Sequence, residues 1–441
     1  MLAAASAGPV IPVYILDDET PKHRAMGAAS RWWLHHSLAS LDTALREKGS
    51  RLILRRGKCD DQLAQIAEEC GAEEVHCLRH YEPWWRNAER AVARRLDLIC
   101  HDGNYLAPPG SVTTGTGGLY KIYTPFWRAL KERMPPPAPS NRPREIAAPA
   151  TWPISDQLAD WDLLPTKPDW ALGFNHLWTP GEERARERVA DFIDEAGDYD
   201  RRRNLPSEDG SSFLSPHLHF GEVSPAYIWH RLSEASGNID VFLSEIAWRD
   251  YAQTVILQFP DYGASNARGT FDTFRWRTGS EASADLKAWQ QGRTGYPIVD
   301  AGMRQLWATG WMHNRVRMIA ASFLIKHLLI DWRKGEQWFW DTLVDADYGS
   351  NSVNWQWVAG TGVDSNMFPR IMAPLTQSEK FDAADYIREW VPELAALDDR
   401  SIHDPDEVGR RPAGYLPKII GHREARARAL AAYDVMKAYD N

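Results

Sequence analysis

Thr294-Gly-Tyr-Pro-Ile-Val-Asp-Ala-Gly-Met-Arg-Gln-Leu306, followed by Trp311-Met-His-Asn-Arg-Val-Arg-Met318, is the stretch whose reading decides the fold. Apolar residues recur at helical spacing through Ile298–Thr309, and again through Asn314–Trp332 and Glu336–Leu343. Outward from there, Glu182–Ala196, Ala226–Ala235, Ile239–Leu257 and His422–Lys437 carry the same period, and the strand signal almost vanishes after Gly181. Residues 181–441 are therefore expected to form an all-α domain.

Upstream the pattern changes. Val10–Leu16, Arg51–Leu54, Glu74–Leu78 and Leu96–Cys100 are short apolar runs. Helical stretches over Gly27–Lys48, over Asp60–Glu69 and from near Pro83 separate them. Short strands alternating with helices imply parallel βαβ units, so residues 1–127 are expected to form an α/β, Rossmann-like domain with a parallel sheet. Between them, residues 128–180 are rich in proline (Pro135-Pro-Pro-Ala-Pro139, Pro143, Pro149, Pro153, Pro165, Pro168), which neither helix nor strand tolerates. That segment reads as a linker wrapped over a surface. No repeat of solenoid period is present.

A chain of 441 residues implies two or three domains, and 44% apolar with 25% charged residues is a globular composition. No apolar run approaches the roughly 18 residues of a membrane helix, and the start lacks the basic region and apolar core of a secretory signal. The expected compartment is the cytoplasm. Cys59, Cys70, Cys77 and Cys100 form no C-x-x-C pair and no zinc spacing, so they read as buried thiols kept reduced, and no metal is expected. A net charge of −9 argues against a generic DNA binder, so DNA contact requires a local cluster of basic groups. The 21 tryptophans exceed what packing alone needs, which favours stacking or electron transfer.

The order of motifs from Thr294 to Met318, then Trp332, Asp345-Ala-Asp347 and Asn351-Ser-Val-Asn-Trp-Gln-Trp357, resembles the C-terminal domain of DNA photolyases and cryptochromes over residues 181–441. Gly27–Arg95, Pro108-Pro-Gly110 and Tyr120-Lys-Ile-Tyr-Thr-Pro-Phe126 resemble that family's N-terminal domain. Family members usually open with a strand and a Trp-Phe-Arg-x-Asp-Leu-Arg segment, and this chain starts where that segment ends. The sheet is therefore expected to lack its opening strand, which leaves costly unpaired edges.

The resemblance implies bound FAD. Gly210-Ser-Ser-Phe-Leu-Ser215, before Pro216 and a helical run, reads by itself as a helix cap or an anion site. The family assigns Ser211, Ser212, Phe213, Leu214 and Ser215 to the FAD phosphates, with Tyr199 also touching the cofactor. By the same resemblance Asp345, Ala346 and Asp347 lie against the flavin, Arg317 pairs with Asp345, and Asn351 faces flavin N5. Each of Trp276, Trp332 and Trp355 alone reads as core; the family makes them an electron relay from the surface to the flavin. Trp289 is assigned to structure.

Glu245 and Trp248 stand three apart, hence on one helix face. The family places Glu245 on the carbonyls of a flipped pyrimidine dimer, Trp248 and Trp357 stacking on it, and Asn314 and Met318 in the same pocket. Arg203, Arg249 and Arg315 match phosphate contacts at the pocket mouth. A second, antenna chromophore (folate or deazaflavin) is expected near Tyr105–Gly110. Asn314 and Met318 stand where a (6-4) photolyase carries histidines, and retention of Asn351 and Trp357 disfavours a cryptochrome. The implied activity is light-driven repair of cyclobutane pyrimidine dimers in DNA by a monomer using reduced FAD. A cryptochrome-like photoreceptor without repair is the alternative; a plain FAD oxidoreductase lacks support, since no Gly-x-Gly-x-x-Gly fingerprint is present.

Overall fold

In the computed structural model, which describes residues 1–366 and 368–439, the N-terminal apolar runs form four short parallel strands. They are β1 (Val13–Leu16), β2 (Ile53–Arg56), β3 (Glu74–Leu78) and β4 (Asp97–His101), joined by α1 (Ala28–Arg46), α2 (Cys59–Cys70) and α3 (Pro83–Val92). The expected single sheet is instead two ladders: β1 on β2, from Val13↔Ile53 to Leu16↔Arg56, and β3 on β4, from Glu74↔Asp97 to Leu78↔His101. Among the described residues no strand bridges the two pairs. The four thiols are half-buried rather than buried: Cys77 and Cys100 face each other on the narrow β3–β4 ladder, and Cys59 and Cys70 stand at the two ends of α2.

The proline-rich segment covers the outer edge of β2. Leu54 N donates to Ser155 Oγ at 3.0 Å, and Asp156 N donates to Leu54 O at 2.8 Å. A side-chain hydroxyl and one amide thus satisfy backbone groups that another strand would otherwise take. Ile146, Trp161 and Leu163 of this segment join Leu16, Leu34, Leu38, Leu52 and Leu54 in one apolar cluster.

Downstream the chain is helical. The helices that position the site are α4 (Tyr123–Lys131), α5 (Asp240–Gln258), α6 (Pro297–Thr309), α7 (Asn314–Ser322), α8 (Trp332–Thr342) and α9 (Tyr348–Ala359). The single helix expected over Asn314–Trp332 is broken. α7 runs into a π turn at Phe323–His327, Leu329 takes a left-handed φ of 50°, and Asp331 accepts from Arg333 N to start α8. A local cap wins there over continued helical periodicity. No described helix is long and apolar enough to cross a membrane.

Trp32 and Trp33 of α1 pack with Phe174, Trp178, Trp311 and Val344, so indoles of the N-terminal region, the proline-rich segment and the helical region share one cluster. Their polar atoms are satisfied: Trp33 Nε1 donates to Glu222 at 3.1 Å and Trp178 Nε1 to Thr309 O at 2.7 Å. α8 lies on α9 through Gly335, where an added Cβ would stand 2.1 Å from Cη2 of Trp355. Gly335→Ala is therefore expected to destabilise the protein by about 1–3 kcal/mol through overpacking. Thermal unfolding followed by tryptophan fluorescence reads this; an unchanged Tm would mean that the α8–α9 contact has slack.

Candidate functional site

The Ser211–Ser215 turn is hung from the core by one side chain. Phe213 adopts φ 52°, and its ring packs against Trp311 (4.7 Å between centroids) and edge-on to Trp178 (5.8 Å). Arg188 donates to the carbonyls of Ser211 and Ser212, fixing the turn from below. Phe213 thus contributes its backbone to the site and its ring to the core, and Leu214 is buried. Ser215 Oγ donates to Asp345 Oδ2 at 2.7 Å, and Arg317 clamps both Asp345 oxygens at 3.2 and 2.9 Å. The Asp345 side chain is only 6% exposed, so these three bonds offset the cost of burying its charge. Next to it Ala346 is buried, and Asp347 caps α9, accepting from Ser350 N at 2.6 Å and from Gln253 Nε2 at 3.1 Å.

Two buried acceptors beside this cluster, Gln253 Oε1 and Asp250 Oδ2, have no partner among the described residues. Burial pushes the Asp250 carboxyl up to about 7, opposed by the Ala107 amide (3.0 Å) and the Arg249 charge. His219 is pushed down by burial, with Asp347, Glu82 and Asp345 opposing. The hydroxyls and main chain of the Ser211–Ser215 turn, together with these two orphan acceptors, suit a ligand that carries both phosphates and N–H donors. FAD is such a ligand, so the residues present fit it. Farther out, Arg79, Tyr81, Asp102, Asn104, Tyr105, Pro108 and Pro109 line a small cleft beyond the C-terminal ends of β3 and β4. The expected antenna segment Tyr105–Gly110 overlaps it.

Asn351 is buried on α9. Its Nδ2 donates to the Glu336 carbonyl and to Glu336 Oε1, both at 3.0 Å. Glu336 in turn is ion-paired with Arg24. Burial raises the Glu336 pKa, and Arg24, Ser352 and Asn351 oppose the rise. Neither Arg24 nor Glu336 was expected in the site. Glu336 had a signal, since it shares a helix face with buried Trp332 and Phe339; its partner lies 312 residues away and had none.

The three tryptophans expected to form a relay lie on adjoining elements. Trp355 sits against Gly335, one turn into the helix that Trp332 begins, and meets the Phe339 and Trp289 rings edge-on. Trp332 is fully buried, its Nε1 donating to Asn266 Oδ1 at 3.0 Å. Trp276 is half-buried on a segment whose next residue, Arg277, bonds Leu329 O just before α8.

On α5, Glu245 is ion-paired with Arg203 at 2.5 Å, and the Arg203 guanidinium lies over the Tyr199 ring. Burial pushes the Tyr199 hydroxyl up to about 12. Trp248 and Trp357 line one cleft with Tyr251, Tyr262, Val353 and Gly362. Tyr123 of α4 stacks flat on Trp248 (3.6 Å, 9°), a backing that the sequence reading missed. Arg315 donates to Asn204 Oδ1, touches the Met318 sulfur at 3.7 Å and lies over Phe381, while Asn314 is exposed at the start of α7. Arg249 does not join this rim. It donates to the carbonyls of Asn104 and Leu218 and lies over Tyr105, because one residue beyond Trp248 rotates it about 100° around α5.

The helical region thus carries a hydrogen-bonded cluster joining the Ser211–Ser215 turn to Asp345 and Arg317, and apart from it an aromatic cleft. Residues 242–435 match the FAD binding domain of DNA photolyase, and residues 1–144 match the DNA photolyase family. The chain is 47% identical to the deoxyribodipyrimidine photo-lyase of Agrobacterium fabrum, over 99% of this chain and 94% of that protein. It is 35% identical to Cryptochrome-1 of Arabidopsis thaliana, over 99% of this chain and 68% of that one. The crystal structure of a bacterial class III photolyase from Agrobacterium tumefaciens superposes with a TM-score of 0.93 at 46% identity, covering 99% and 94% of the two chains. The chain belongs to the DNA photolyase and cryptochrome family, and its cofactor is FAD. Tyr199, Arg203 and Ser211–Ser215 fall outside the two matched stretches but inside the alignment with the Agrobacterium fabrum protein.

His313 caps α7 amid these arginines, accepting from Arg315 N at 3.2 Å. Burial, then the charges of Arg315, Arg203 and Arg317, push its pKa down to about 4 from 6.5. Between those values the unfolded chain binds a proton that the folded one refuses, so stability falls as pH drops from 6.5 to 4. The loss is at most about 3 kcal/mol. His313→Asn keeps a capping acceptor and is expected to flatten the pH dependence of urea unfolding over this window by one proton's slope; an unaltered slope would clear His313.

Proposed function

We propose that this protein splits cyclobutane pyrimidine dimers in DNA, driven by light. The observation that carries the reading is the single cleft shared by Trp248 and Trp357, with Glu245 one helical turn before Trp248. A base must leave the duplex stack before chemistry reaches it, and two indoles in one cleft offer it π surfaces. Tyr123 covers one face of Trp248 and so holds the indole ready to stack on the other. Carrying a proton, Glu245 donates to the pyrimidine carbonyls, and this requires Arg203 to leave the ion pair it now makes with Glu245 and turn to a phosphate. Arg203 and Arg315 serve the phosphates flanking the lesion, a local pair of cations on a chain of net charge −9. The Arg249 guanidinium instead belongs to the cofactor side.

Bound FAD, when reduced and excited by blue or near-ultraviolet light, supplies the electron that opens the dimer and takes it back. Tyr199, Ser211, Ser212, Ser215, Asp345 and Asp347 hold it, with the main chain of Phe213, Leu214 and Ala346, and Arg317 keeps Asp345 in place. Asn351 meets flavin N5. Trp276, Trp332 and Trp355 are the route by which electrons enter from the surface. Asn314 and Met318 give the cleft no histidine of its own, which favours the cyclobutane over the (6-4) lesion. The protein works as a monomer in the cytoplasm, and the cleft beyond β3 and β4 takes a folate or deazaflavin antenna.

A thymine-tract oligonucleotide carrying dimers, mixed with reduced protein and illuminated, is expected to regain its base absorbance. No recovery, with the flavin still bleaching and recovering in light, would assign the chain to the photoreceptors. Glu245→Ala is expected to slow repair about 10- to 100-fold, the loss of one hydrogen bond to a developing charge, while Glu245→Gln keeps most of the rate. Equal loss in both would remove the donor role from this residue.

A further inference from the structure

Arg24 stands at the end of a short turn, Lys22–Arg24, far in sequence from the helical region, yet its side chain is buried inside that region. Nη1 donates to both Glu336 oxygens at 2.7 and 2.8 Å, and Nη2 donates to Gly263 O at 2.7 Å. The guanidinium lies 5.1 Å from the Tyr348 ring centroid and 5.9 Å from that of Trp340. The slot is fitted to it: a Cβ on Gly263 would stand 2.5 Å from Nη2, 2.6 Å from Tyr348 Cε2 and 2.9 Å from Ser352 Oγ. The following residues are clamped as well, with Trp340 Nε1 donating to Ala25 O at 2.9 Å and Ala28 N to Asp341 Oδ1 at 3.0 Å.

The far side of Glu336 meets Asn351. A side-chain amide has one acceptor oxygen and one NH2 group, and the partners around it decide which way it points. Here its two neighbours are the Glu336 carbonyl, always an acceptor, and Glu336 Oε1, an acceptor while the carboxyl is ionised. Both then demand the NH2, and Oδ1 is left to point elsewhere. A proton on Oε1 would turn that oxygen into a donor and allow the amide to flip. Arg24 opposes this by holding a positive charge against both carboxylate oxygens.

We infer that Arg24 is a positioning residue that fixes the Asn351 amide through Glu336, so that Asn351 offers the flavin a hydrogen-bond acceptor and thereby favours the reduced cofactor. The inference rests on the reading above that Asn351 meets flavin N5. An acceptor there stabilises a flavin with hydrogen on N5, whereas a donor stabilises the oxidised ring, whose N5 carries none.

The test is the midpoint potential of FAD in the holoprotein, read by equilibration with a reference dye and independent of repair. In the double variant Arg24→Met with Glu336→Gln, no charge is left buried alone, and the amide introduced in place of the carboxylate can donate to Asn351 Oδ1. The reduced-to-oxidised ratio at fixed potential is expected to fall about tenfold, the worth of one hydrogen bond, or roughly 30 mV for a two-electron couple. Arg24→Lys, which keeps the charge, is expected to stay near the parent value. Asn351→Ser separates the two readings. If it lowers the potential and the double variant does not, Arg24 has no such role and the Asn351 reading stands. If Asn351→Ser leaves the potential unchanged, the Asn351 reading fails and the inference with it. Glu336→Gln alone, nearly isosteric, serves if the double variant does not load FAD; failure of both to load would assign the pair to docking only and overturn the inference.

Discussion

A guanidinium and a carboxylate, Arg24 and Glu336, lie together where neither reaches water, and much of the architecture follows from that pair. Breaking a buried ion pair by removing one partner costs about 3–5 kcal/mol, so the segment around Arg24 has one place to sit. Its position fixes the approach of α1 to α8, where Gly27 is so close to the Trp340 carbonyl that a Cβ would stand 2.2 Å from it. α1 so placed delivers Trp32 and Trp33 to Phe174, Trp178 and Trp311. Trp178 and Trp311 grip Phe213, from which the Ser211–Ser215 turn hangs. A charge pair at one end of this chain of contacts and the Ser211–Ser215 turn at the other are thus parts of one packing problem.

α5 links the two halves of the site. Glu245 and Trp248 share one of its faces, Trp248 lining the aromatic cleft, while Arg249, Asp250 and Gln253 turn toward Asn104, Ala107 and Asp347. The 100° step of the helix is what turns adjacent residues to different surroundings. The same step explains why Arg249, beside Trp248 in sequence, stands apart from Arg203 and Arg315 in space. The cationic rim is correspondingly smaller than three arginines in a sequence reading would make it.

The tryptophans divide by what satisfies their N–H groups. Trp33, Trp178, Trp289 and Trp332 are fully or nearly fully buried with Nε1 bonded to protein, which marks them as fixtures whatever else they do. Trp248 and Trp357 are half-buried and border open space. Trp276 shares that half-exposure, at the outer end of the set that reaches Trp355.

What the sequence determined by itself was local and short-range. Helical periodicity marked α5 and α6 to within a residue or two and proline density marked the covering segment, whereas Asp345, Asn351 and Trp355 were assigned to one site by family resemblance and not by their spacing. Periodicity failed between α7 and α8, where a left-handed Leu329 and the Asp331 cap interrupt a run whose apolar residues keep helical spacing. It failed also in reading one sheet from four strands, because pairing depends on which strands meet and not on their apolar pattern. Only the tertiary structure decided that Arg24 reaches Glu336, that Arg203 neutralises Glu245, and that Tyr123 backs Trp248. Each joins residues tens to hundreds of positions apart, and the energy of such a contact resides in burial and geometry that no local window of sequence contains.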